Sequence, residues 1–267
     1  MRNADHPTAG GPVRMGARLR QHEILALARE RGSLNVTTAS RELGVSVETV
    51  RRDLTALERQ GLLRREYGNA YPIESIGFET DLRRRSENLI VEKRRIAAVA
   101  AQQLDDAESV YIDEGHLPTL VARELPEDRW LTVLTASLPV ATLMADRPLY
   151  TVIMLGGRVR GRTLATVDRW VETMLSEFSI DLAFMGANGL SVTGGATTPD
   201  PAVSAVKAAA IRASRRRIFI GAHNKFGPTS FSKFAEVRDF EMLITDTGLS
   251  RRDAHAFAMA GPKVQRV

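Results

Sequence analysis

Apolar residues recur at helical spacing early in the chain. Val50, Leu54 and Leu57 occupy positions i, i+4 and i+7, which form one face of an α-helix. Ser46 precedes this run and is a favourable N-cap residue. A shorter helical stretch before it ends at Gly44, and glycine commonly terminates helices. The pattern therefore predicts a helix, a glycine turn and a second helix.

With its apolar face buried, the second helix would leave small polar groups and two guanidinium groups towards solvent. These groups belong to Ser46, Thr49, Arg51 and Arg52. A helix that presents such groups near its N-terminal end suits the major groove of DNA. An ordinary amphipathic helix with a solvated arginine pair is the alternative that these residues alone leave open.

Elements on both sides of this helix pair extend the pattern. A further helix is predicted upstream, over 18–29. Downstream, Gly61 ends the second helix, and 62–71 predicts two short strands about a Gly-Asn turn. The first of these strands carries Arg64 and Arg65, which join the predicted DNA-binding residues. Three helices followed by a hairpin form a winged helix-turn-helix domain.

From residue 92 onward, short apolar runs alternate with helical patterns. This alternation predicts a Rossmann-like α/β domain with a mostly parallel sheet and helices on both faces. The predicted strands are 110–112, 131–134, 152–155, 182–185, 218–220 and 242–244. The predicted helices between them are 119–123, 137–144, 167–178 and 202–214.

Composition and charge divide the chain into four segments. We predict a disordered tail over 1–17, the winged helix-turn-helix domain over 18–72, a polar linker over 73–91 and the α/β domain over 92–267. The net charge of +5 is unevenly spread, because the first 70 residues carry 12 arginines against 8 acidic residues. A basic excess on this segment fits binding to the phosphate backbone of DNA.

Other features of the composition exclude several kinds of site. The 267 residues include no cysteine, which excludes a disulfide framework and a thiolate zinc site. Neither a run of about 18 apolar residues nor a signal-peptide pattern is present, so we expect a cytoplasmic protein without membrane contact. Metal-ligand spacings, phosphate-binding P-loops and nucleophilic serine motifs are also missing. We therefore expect no cofactor, no metal and no catalytic residues.

Five loops follow predicted strands at the edge where open α/β sheets bind ligands. Four of them contain glycine, whose backbone N–H groups can approach an anion closely, and lysines and helix N-termini favour a phosphate. Asp113 would instead accept the hydroxyl protons of a sugar. The five loops are 113–116, 135–137, 156–158, 186–189 and 224–227.

The helix-turn-helix segment contains Gly-Val-Ser-x-x-Thr-Val-Arg-Arg-Asp-Leu-x-x-Leu-Glu from Gly44, Gly-Leu-Leu-Arg from Gly61 and a Gly-x-Ala that ends the wing. Together these motifs resemble the DeoR family of bacterial transcriptional regulators. Two departures occur. The usual His-Gly-Gly-Ala of the wing is Tyr-Gly-Asn-Ala at 67–70. The usual Leu-Ala pair of the first motif helix is Ala39-Ser40, which predicts a thinner core there.

Further motifs extend this resemblance over nearly the whole chain. They are Asp-x-Gly after the first strand, Thr-x-Ser, Leu-Gly-Gly, Asp-x-Ala-Phe-x-Gly-x-x-Gly, a lysine in the following helix, and Lys-Phe-Gly. They are similar to the family's effector domain, which itself resembles sugar-phosphate isomerases and glucosamine-phosphate deaminase. The resemblance implies a phosphorylated sugar or polyol as effector. The candidate effector-binding residues are Asp113, Gly115, His116, Ser137, Gly156, Gly157, Arg158, Gly186, Asn188, Gly189, Lys207 and Lys225.

The effector domain departs from the family pattern at three positions. His116 stands at the first of two positions where a pair of hydroxyl residues usually follows Asp-x-Gly. Ala222 stands where an aspartate often precedes Lys-Phe-Gly, and Val203 stands where glutamate is frequent. These departures predict either an unusual effector or a weakened pocket. The imidazole of His116 has the chemistry to hydrogen-bond a phosphate or a hydroxyl.

These features predict a sequence-specific regulator, a repressor of a carbohydrate or related catabolic operon that a phosphorylated metabolite releases from double-stranded DNA. One helix-turn-helix reads only a few base pairs, so a homodimer or homotetramer on repeated half-sites is expected. The alternatives are a sugar-phosphate isomerase or deaminase with a nucleic-acid-binding fusion, and a DNA-binding protein without effector. Against the enzyme, Asn188 lies in the loop where the resembled enzymes carry an acidic residue, and an amide is not a base near neutral pH.

Overall fold

A computed structural model describes residues 16–31, 33–59, 63–66, 69–72, 89–161 and 163–267. The chain forms two compact units, residues 1–75 and residues 76–267. Most of the predicted tail (1–17) and most of the predicted linker (73–91) lie outside the described residues. The properties and boundaries of those two segments therefore stay predictions.

The described part of the first unit contains three helices and a small antiparallel sheet. Its core contains the predicted apolar face of the third helix, Val50, Leu54 and Leu57, packed with Ile24 and Leu63. The sheet order is β1-β3-β2, and β2 and β3 form the predicted hairpin. The predicted winged helix-turn-helix architecture is confirmed. The elements are α1 (Ala17–Arg31), β1 (Leu34–Asn35), α2 (Val36–Leu43), α3 (Val47–Arg59), β2 (Leu63–Glu66) and β3 (Asn69–Pro72).

At the turn between α2 and α3, a small buried residue is accompanied by a side-chain hydrogen bond. Gly44 ends α2 in the left-handed region, with a φ of 61°. Ala39 is fully buried, and the Ser40 hydroxyl donates to the carbonyl of Val45 at 2.6 Å. The position that predicted a thinner core therefore also carries a hydrogen bond that joins α2 to the following turn.

The hairpin differs from its prediction at one residue. Asn69 pairs with Glu66 and is the first residue of β3, so it lies in the ladder and not in the turn. The connection that remains is Tyr67-Gly68, which lies outside the described residues. Gly61, predicted to end the second helix, also lies outside them.

The second unit is built around a seven-stranded sheet in the order β15-β14-β12-β9-β4-β5-β6, in which every neighbouring pair is parallel. The strands of this sheet are β4 (Ser109–Ile112), β5 (Leu131–Thr135), β6 (Tyr150–Met154), β9 (Ile180–Met185), β12 (Ser214–Ile220), β14 (Met242–Thr245) and β15 (Lys263–Arg266). The helices are α4 (Ile90–Ala101), α5 (His116–Glu124), α6 (Leu138–Ala145), α7 (Arg169–Ser176), α8 (Pro201–Ala213) and α9 (Arg251–Ala258).

Two hydrophobic cores cover the two faces of this sheet, because successive residues of a strand point to opposite faces. In the central strand β4, Tyr111 packs into one core, whereas Val110 and Ile112 pack into the other. Burial on both faces explains why the strands are near-continuous apolar runs. The predicted fold class, a winged helix-turn-helix followed by a Rossmann-like α/β domain, is confirmed.

Several short elements are missing from the sequence prediction. They are β7 (Arg158–Arg160), β8 (Ala165–Val167), β10 (Gly189–Ser191), β11 (Gly195–Thr198) and β13 (Ser232–Ala235), together with α9 and β15. Several predicted boundaries are shifted by one or more residues, and the predicted helix 167–178 is shortened because Val167 ends β8 and α7 begins only at Arg169. α4 begins at Ile90, inside the predicted linker.

Candidate functional site

The exposed face of α3 carries several arginine side chains. Arg51, Arg52 and Arg59 line one open groove together with Glu48 and Thr55. The side chains of Arg51 and Arg52 are 58% and 80% exposed, and they lie 3.9 and 3.7 Å from the Glu48 carboxylate. Exposed ion pairs of this kind contribute little to stability. Both guanidinium groups can therefore exchange Glu48 for a DNA phosphate or a base.

The hairpin brings another guanidinium group to this face. Arg65 donates from Nη1 to the Thr55 hydroxyl at 3.1 Å, and its backbone N–H donates to the Glu58 carboxylate at 3.0 Å. Strand β2 is thereby fixed against α3. We call the resulting surface the arginine face, and it comprises Arg51, Arg52, Arg59 and Arg65.

The predicted DNA-binding residues are only partly those of the arginine face. Arg59 is missing from the prediction, although its spacing from Arg51 by eight residues places both on one side of the helix. Arg64 is in the prediction, but its side chain lies outside the described part of the chain. Ser46 accepts the backbone N–H of Thr49 at 3.1 Å, and their hydroxyls lie 2.8 Å apart. The Ser46 hydroxyl caps α3, and the contact of either hydroxyl with bases stays a prediction.

In the α/β unit, Asp113 and Lys207 form a buried ion pair at the carboxyl edge of the central sheet. The Asp113 carboxylate contacts the Lys207 ammonium and accepts the backbone N–H groups of Gly186 and Glu114, both at 2.8 Å. Lys207 also donates to the carbonyl of Gly186 at 3.2 Å and lies 3.8 Å from the Glu114 carboxylate. The side chains of Asp113 and Lys207 are only 1% and 3% exposed.

This pair joins residues that are distant in sequence. Asp113 directly follows β4, Gly186 directly follows β9, and Lys207 lies in α8. Three of the predicted effector-binding residues are therefore in mutual contact. Lys207 is therefore not a solvated side chain on a helix surface, because α8 buries it near the strand ends.

His116 opens helix α5, in the loop region that follows Asp113. It follows Gly115, whose φ of 117° lies in the region that favours glycine. Burial, and then the cationic side chains of Lys93, Arg123 and Arg94, lower the pKa of His116 to about 4. Its Nε2 atom is buried and makes no hydrogen bond within the described ranges. At neutral pH this imidazole is therefore an uncharged hydrogen-bonding group.

The depressed pKa of His116 predicts a loss of stability on acidification. The unfolded chain takes up a proton near the usual histidine pKa of about 6.5, whereas the folded protein takes it up only near pH 4. Folding stability is therefore full above that window and falls as the pH is lowered through it. Urea unfolding of His116→Gln at several pH values should show a shallower loss than the wild type. The same substitution at exposed His255 is the control, and equal pH slopes in wild type and His116→Gln would contradict the expectation.

The glycines of two predicted loops are required by close backbone packing. A Cβ atom on Gly157 would lie 2.4 Å from the carbonyl oxygen of Val167, and one on Gly189 would lie 2.3 Å from that of Pro228. The backbone N–H of Gly156 is directed to the sulfur of Met174 at 3.2 Å. These contacts account for the glycines without a ligand. Anion binding by them stays a prediction.

Three further candidate residues are held by neighbouring groups. Ser137 is buried and caps α6 by accepting the backbone N–H of Val140 at 3.4 Å. The Asn188 side-chain oxygen accepts the Thr198 hydroxyl at 3.2 Å. Lys225 ends the 3₁₀ turn His223–Lys225, which follows β12.

Arg158 lies on the hairpin formed by β7 and β8, and its guanidinium pairs with the Asp168 carboxylate at 2.9 Å. Asp168 itself has a φ of 85°, an uncommon conformation for a residue with a side chain. The ion pair links the start of β7 to the end of β8. A role for Arg158 in effector binding stays a prediction.

The structure adds a histidine–aspartate pair that the sequence prediction lacks. His223 follows β12 and Asp246 follows β14, and the His223 Nδ1 lies 2.7 Å from the Asp246 carboxylate. Burial opposes ionisation of Asp246, but hydrogen bonds from His223 and from the Gly248 N–H hold its pKa below the usual value. The signal in the sequence was the position of both residues in loops that follow strands of one sheet.

The described ranges contain neither a metal-binding cluster nor a membrane-spanning helix. No group of three or more histidine, aspartate or glutamate residues there is arranged to hold a metal ion. Among the described helices, none has the length and apolar character needed to cross a membrane.

Comparison with known proteins finds that models of one protein family match both units of the chain. The family model of the DeoR-like helix-turn-helix domain matches residues 20–75, and that of the DeoR C terminal sensor domain matches residues 89–247. The HTH-type transcriptional regulator GlpR of Haloferax volcanii is 31% identical over 92% of this chain and 96% of its own length. The glycerol-3-phosphate regulon repressor of Escherichia coli is 27% identical over 85% of this chain and 90% of its own length.

Among solved structures, ribose 5-phosphate isomerase A from Neisseria gonorrhoeae aligns with a TM-score of 0.37 at 16% identity. It covers 50% of this chain and 52% of its own. The curated relatives, which align along nearly their whole length, are named as transcriptional regulators and not as enzymes.

Proposed function

The chain belongs to the DeoR family of transcriptional regulators, and we propose that it represses a carbohydrate or related catabolic operon until a phosphorylated sugar or polyol binds its α/β unit. The arginine face of α3 and β2 would bind the operator. The carboxyl edge of the central sheet would bind the effector. The observation that carries the effector half of the proposal is the buried Asp113–Lys207 pair at that edge.

A buried ion pair is weak support for stability, because desolvation of both charges offsets their attraction. Apolar residues of similar volume often stabilise a fold equally well or better. Asp113 and Lys207 lie where open α/β sheets bind ligands, and Asp113 retains lone pairs that can accept hydroxyl protons. Recognition of a ligand therefore explains this pair better than stability does.

The phosphate group of the effector would bind at the N-terminal end of α5. Backbone N–H groups without intrahelical partners and the positive end of the helix dipole favour an anion there. No acidic residue lies in the first turn of α5, and His116 opens it. Lys225, in the turn after β12, would bring a positive charge to the same edge.

The arginine face supports binding to double-stranded DNA. Lysine and arginine contacts to phosphates supply most of the non-specific affinity for DNA. A helix in the major groove recognises the base sequence. A single helix-turn-helix reads few base pairs, so we expect a homodimer or homotetramer on repeated half-sites. Sedimentation velocity of the full chain with and without operator DNA would measure this assembly.

His116 is expected to determine which phosphorylated ligand is preferred. His116→Thr replaces an imidazole by a smaller hydroxyl side chain at the start of α5. Calorimetry on both proteins should show the ratio of affinities for two phosphorylated sugars changing by about ten-fold, equivalent to 1.4 kcal/mol. Unchanged ratios would place the phosphate away from His116.

Thermal shift of the full chain tests the effector proposal directly. A ligand present at about 100 times its Kd stabilises a protein by about 2.7 kcal/mol, which is readily measured. We expect stabilisation by some members of a panel of phosphorylated sugars and polyols, and none by the same compounds without phosphate. Equal shifts from both forms, or none from any phosphorylated member, would contradict the proposal.

A further inference from the structure

A small cavity adjoins the Asp113–Lys207 pair. Its walls include Tyr111, Thr166, Val203 and Val206, and its volume of about 10 Å³ is room for one water-sized group. Asp113 and Lys207 also line it. The cavity therefore borders the proposed effector site.

Tyr111 is the unusual residue of this cavity. It lies two residues before Asp113, so both belong to the same face of the sheet. Tyr111 is fully buried, and its hydroxyl makes no hydrogen bond within the part of the chain that the structure describes. A buried hydroxyl without a partner is costly, and such groups are rare in folded proteins.

We propose that this cavity is an inner subsite that receives one uncharged hydroxyl group of the effector, and that Tyr111 is the residue that selects it. The proposal rests on the effector function proposed above and specifies the class of ligand. The hydroxyl enters the cavity at the end of the ligand remote from its phosphate.

The polar groups around the cavity determine which ligand group it accepts. Burial, and then the carboxylates of Asp113 and Glu114, raise the pKa of Tyr111, so its hydroxyl stays protonated and donates. A ligand hydroxyl can accept from Tyr111 and donate to Asp113. A carboxylate or a second phosphate would instead face the carboxylates of Asp113 and Glu114, which outnumber the single Lys207 cation at the cavity and would repel it. The site therefore accepts polyol phosphates and rejects sugar-acid phosphates.

Tyr111→Phe gives a sharp test, because it removes the hydroxyl and keeps the ring. Loss of an unpartnered buried hydroxyl should raise the Tm of the ligand-free protein by about 2–4 °C. Loss of a hydrogen bond to the ligand should weaken polyol-phosphate binding by about 3- to 10-fold. A hydroxyl that only supported the fold would show the opposite Tm change.

Thr245→Val is the matched control. Thr245 is also fully buried with an unpartnered hydroxyl among the described residues, but it ends β14, away from the cavity. This variant should raise the Tm and leave ligand affinity unchanged. Together the two variants separate the cost of a buried hydroxyl from its use in binding.

Two ligand series complete the experiment, measured by thermal shift and calorimetry. One contains glycerol, erythritol, ribitol and sorbitol phosphates, each phosphorylated on a terminal carbon. The other contains phosphoglycerate, phosphoerythronate, phosphoribonate and phosphogluconate, in which the remote end is a carboxylate. We expect binding from the first series, and affinity at least about ten-fold weaker from the second.

The outcomes separate this inference from the function on which it rests. Equal binding by both series, or wild-type affinity in Tyr111→Phe, would overturn the inner subsite alone. A lowered Tm in Tyr111→Phe would also overturn it. Binding by neither series, in a protein that still binds DNA, would overturn the proposed effector function together with the subsite.

Discussion

Replacing Lys207 by methionine should abolish the response to effector and lower the free energy of unfolding by roughly 3–5 kcal/mol. The substitution keeps most of the side chain's apolar stem but leaves the Asp113 carboxylate buried without its cation. Backbone N–H groups of Gly186 and Glu114 still reach Asp113, but they do not neutralise its charge. Urea denaturation measures the stability, and calorimetry measures the ligand affinity.

A second substitution distinguishes charge from packing at this site. Adding Asp113→Asn to Lys207→Met removes the unpaired carboxylate, so the double variant should be more stable than Lys207→Met alone. Its ligand response should remain absent, because both ligand-binding charges are gone. A double variant that is less stable than Lys207→Met would show that Asp113 is stabilised mainly by the backbone groups.

Replacing Arg51 and Arg52 together by alanine should nearly abolish operator binding. A base contact contributes about 1–3 kcal/mol, and each phosphate contact adds to the salt dependence of binding. Both side chains are mostly exposed, so the fold should be unaffected. Fluorescence anisotropy at several salt concentrations would separate the two effects. A smaller salt slope indicates a lost phosphate contact, and relaxed sequence preference indicates a lost base contact.

Arg251 and Arg252 provide a control of equal charge change. They form an exposed arginine pair at the start of α9 in the α/β unit. Their replacement by alanine changes the net charge of the protein equally and should leave operator affinity close to that of the wild type. If both double variants bind the operator equally well, the arginine face is not the DNA-binding surface.

The sequence was most informative where one element carries its own pattern. The apolar face of α3 and the runs that form the central sheet follow from periodicity, because burial on one or two faces selects apolar residues at fixed spacing. The short strands β7, β8, β10, β11 and β13 lack such a pattern. They are held by pairing with each other and with loops, as in the hairpin of β7 and β8.

In the candidate site, too, some features follow from local sequence pattern and others only from tertiary packing. Asp113 and Gly186 could be named because parallel strands end at one edge, so residues after them share a location. The contact between Lys207 and Asp113 depends on how α8 packs, which no local pattern encodes. The environment of Tyr111, which shares a small cavity with Asp113 and Lys207, likewise arises only from tertiary packing.

Release of operator DNA by ligand tests whether a phosphorylated ligand bound at Asp113 controls DNA binding. A labelled duplex selected by the full chain from a random pool is bound by wild type and by Asp113→Asn, and terminally phosphorylated polyols are then added. We predict that both proteins bind the duplex with similar affinity, that a polyol phosphate lowers the anisotropy of the wild-type complex, and that Asp113→Asn requires about ten-fold more ligand. Release of both proteins at the same ligand concentration would contradict the account, as would a wild-type complex that no phosphorylated polyol or sugar dissociates.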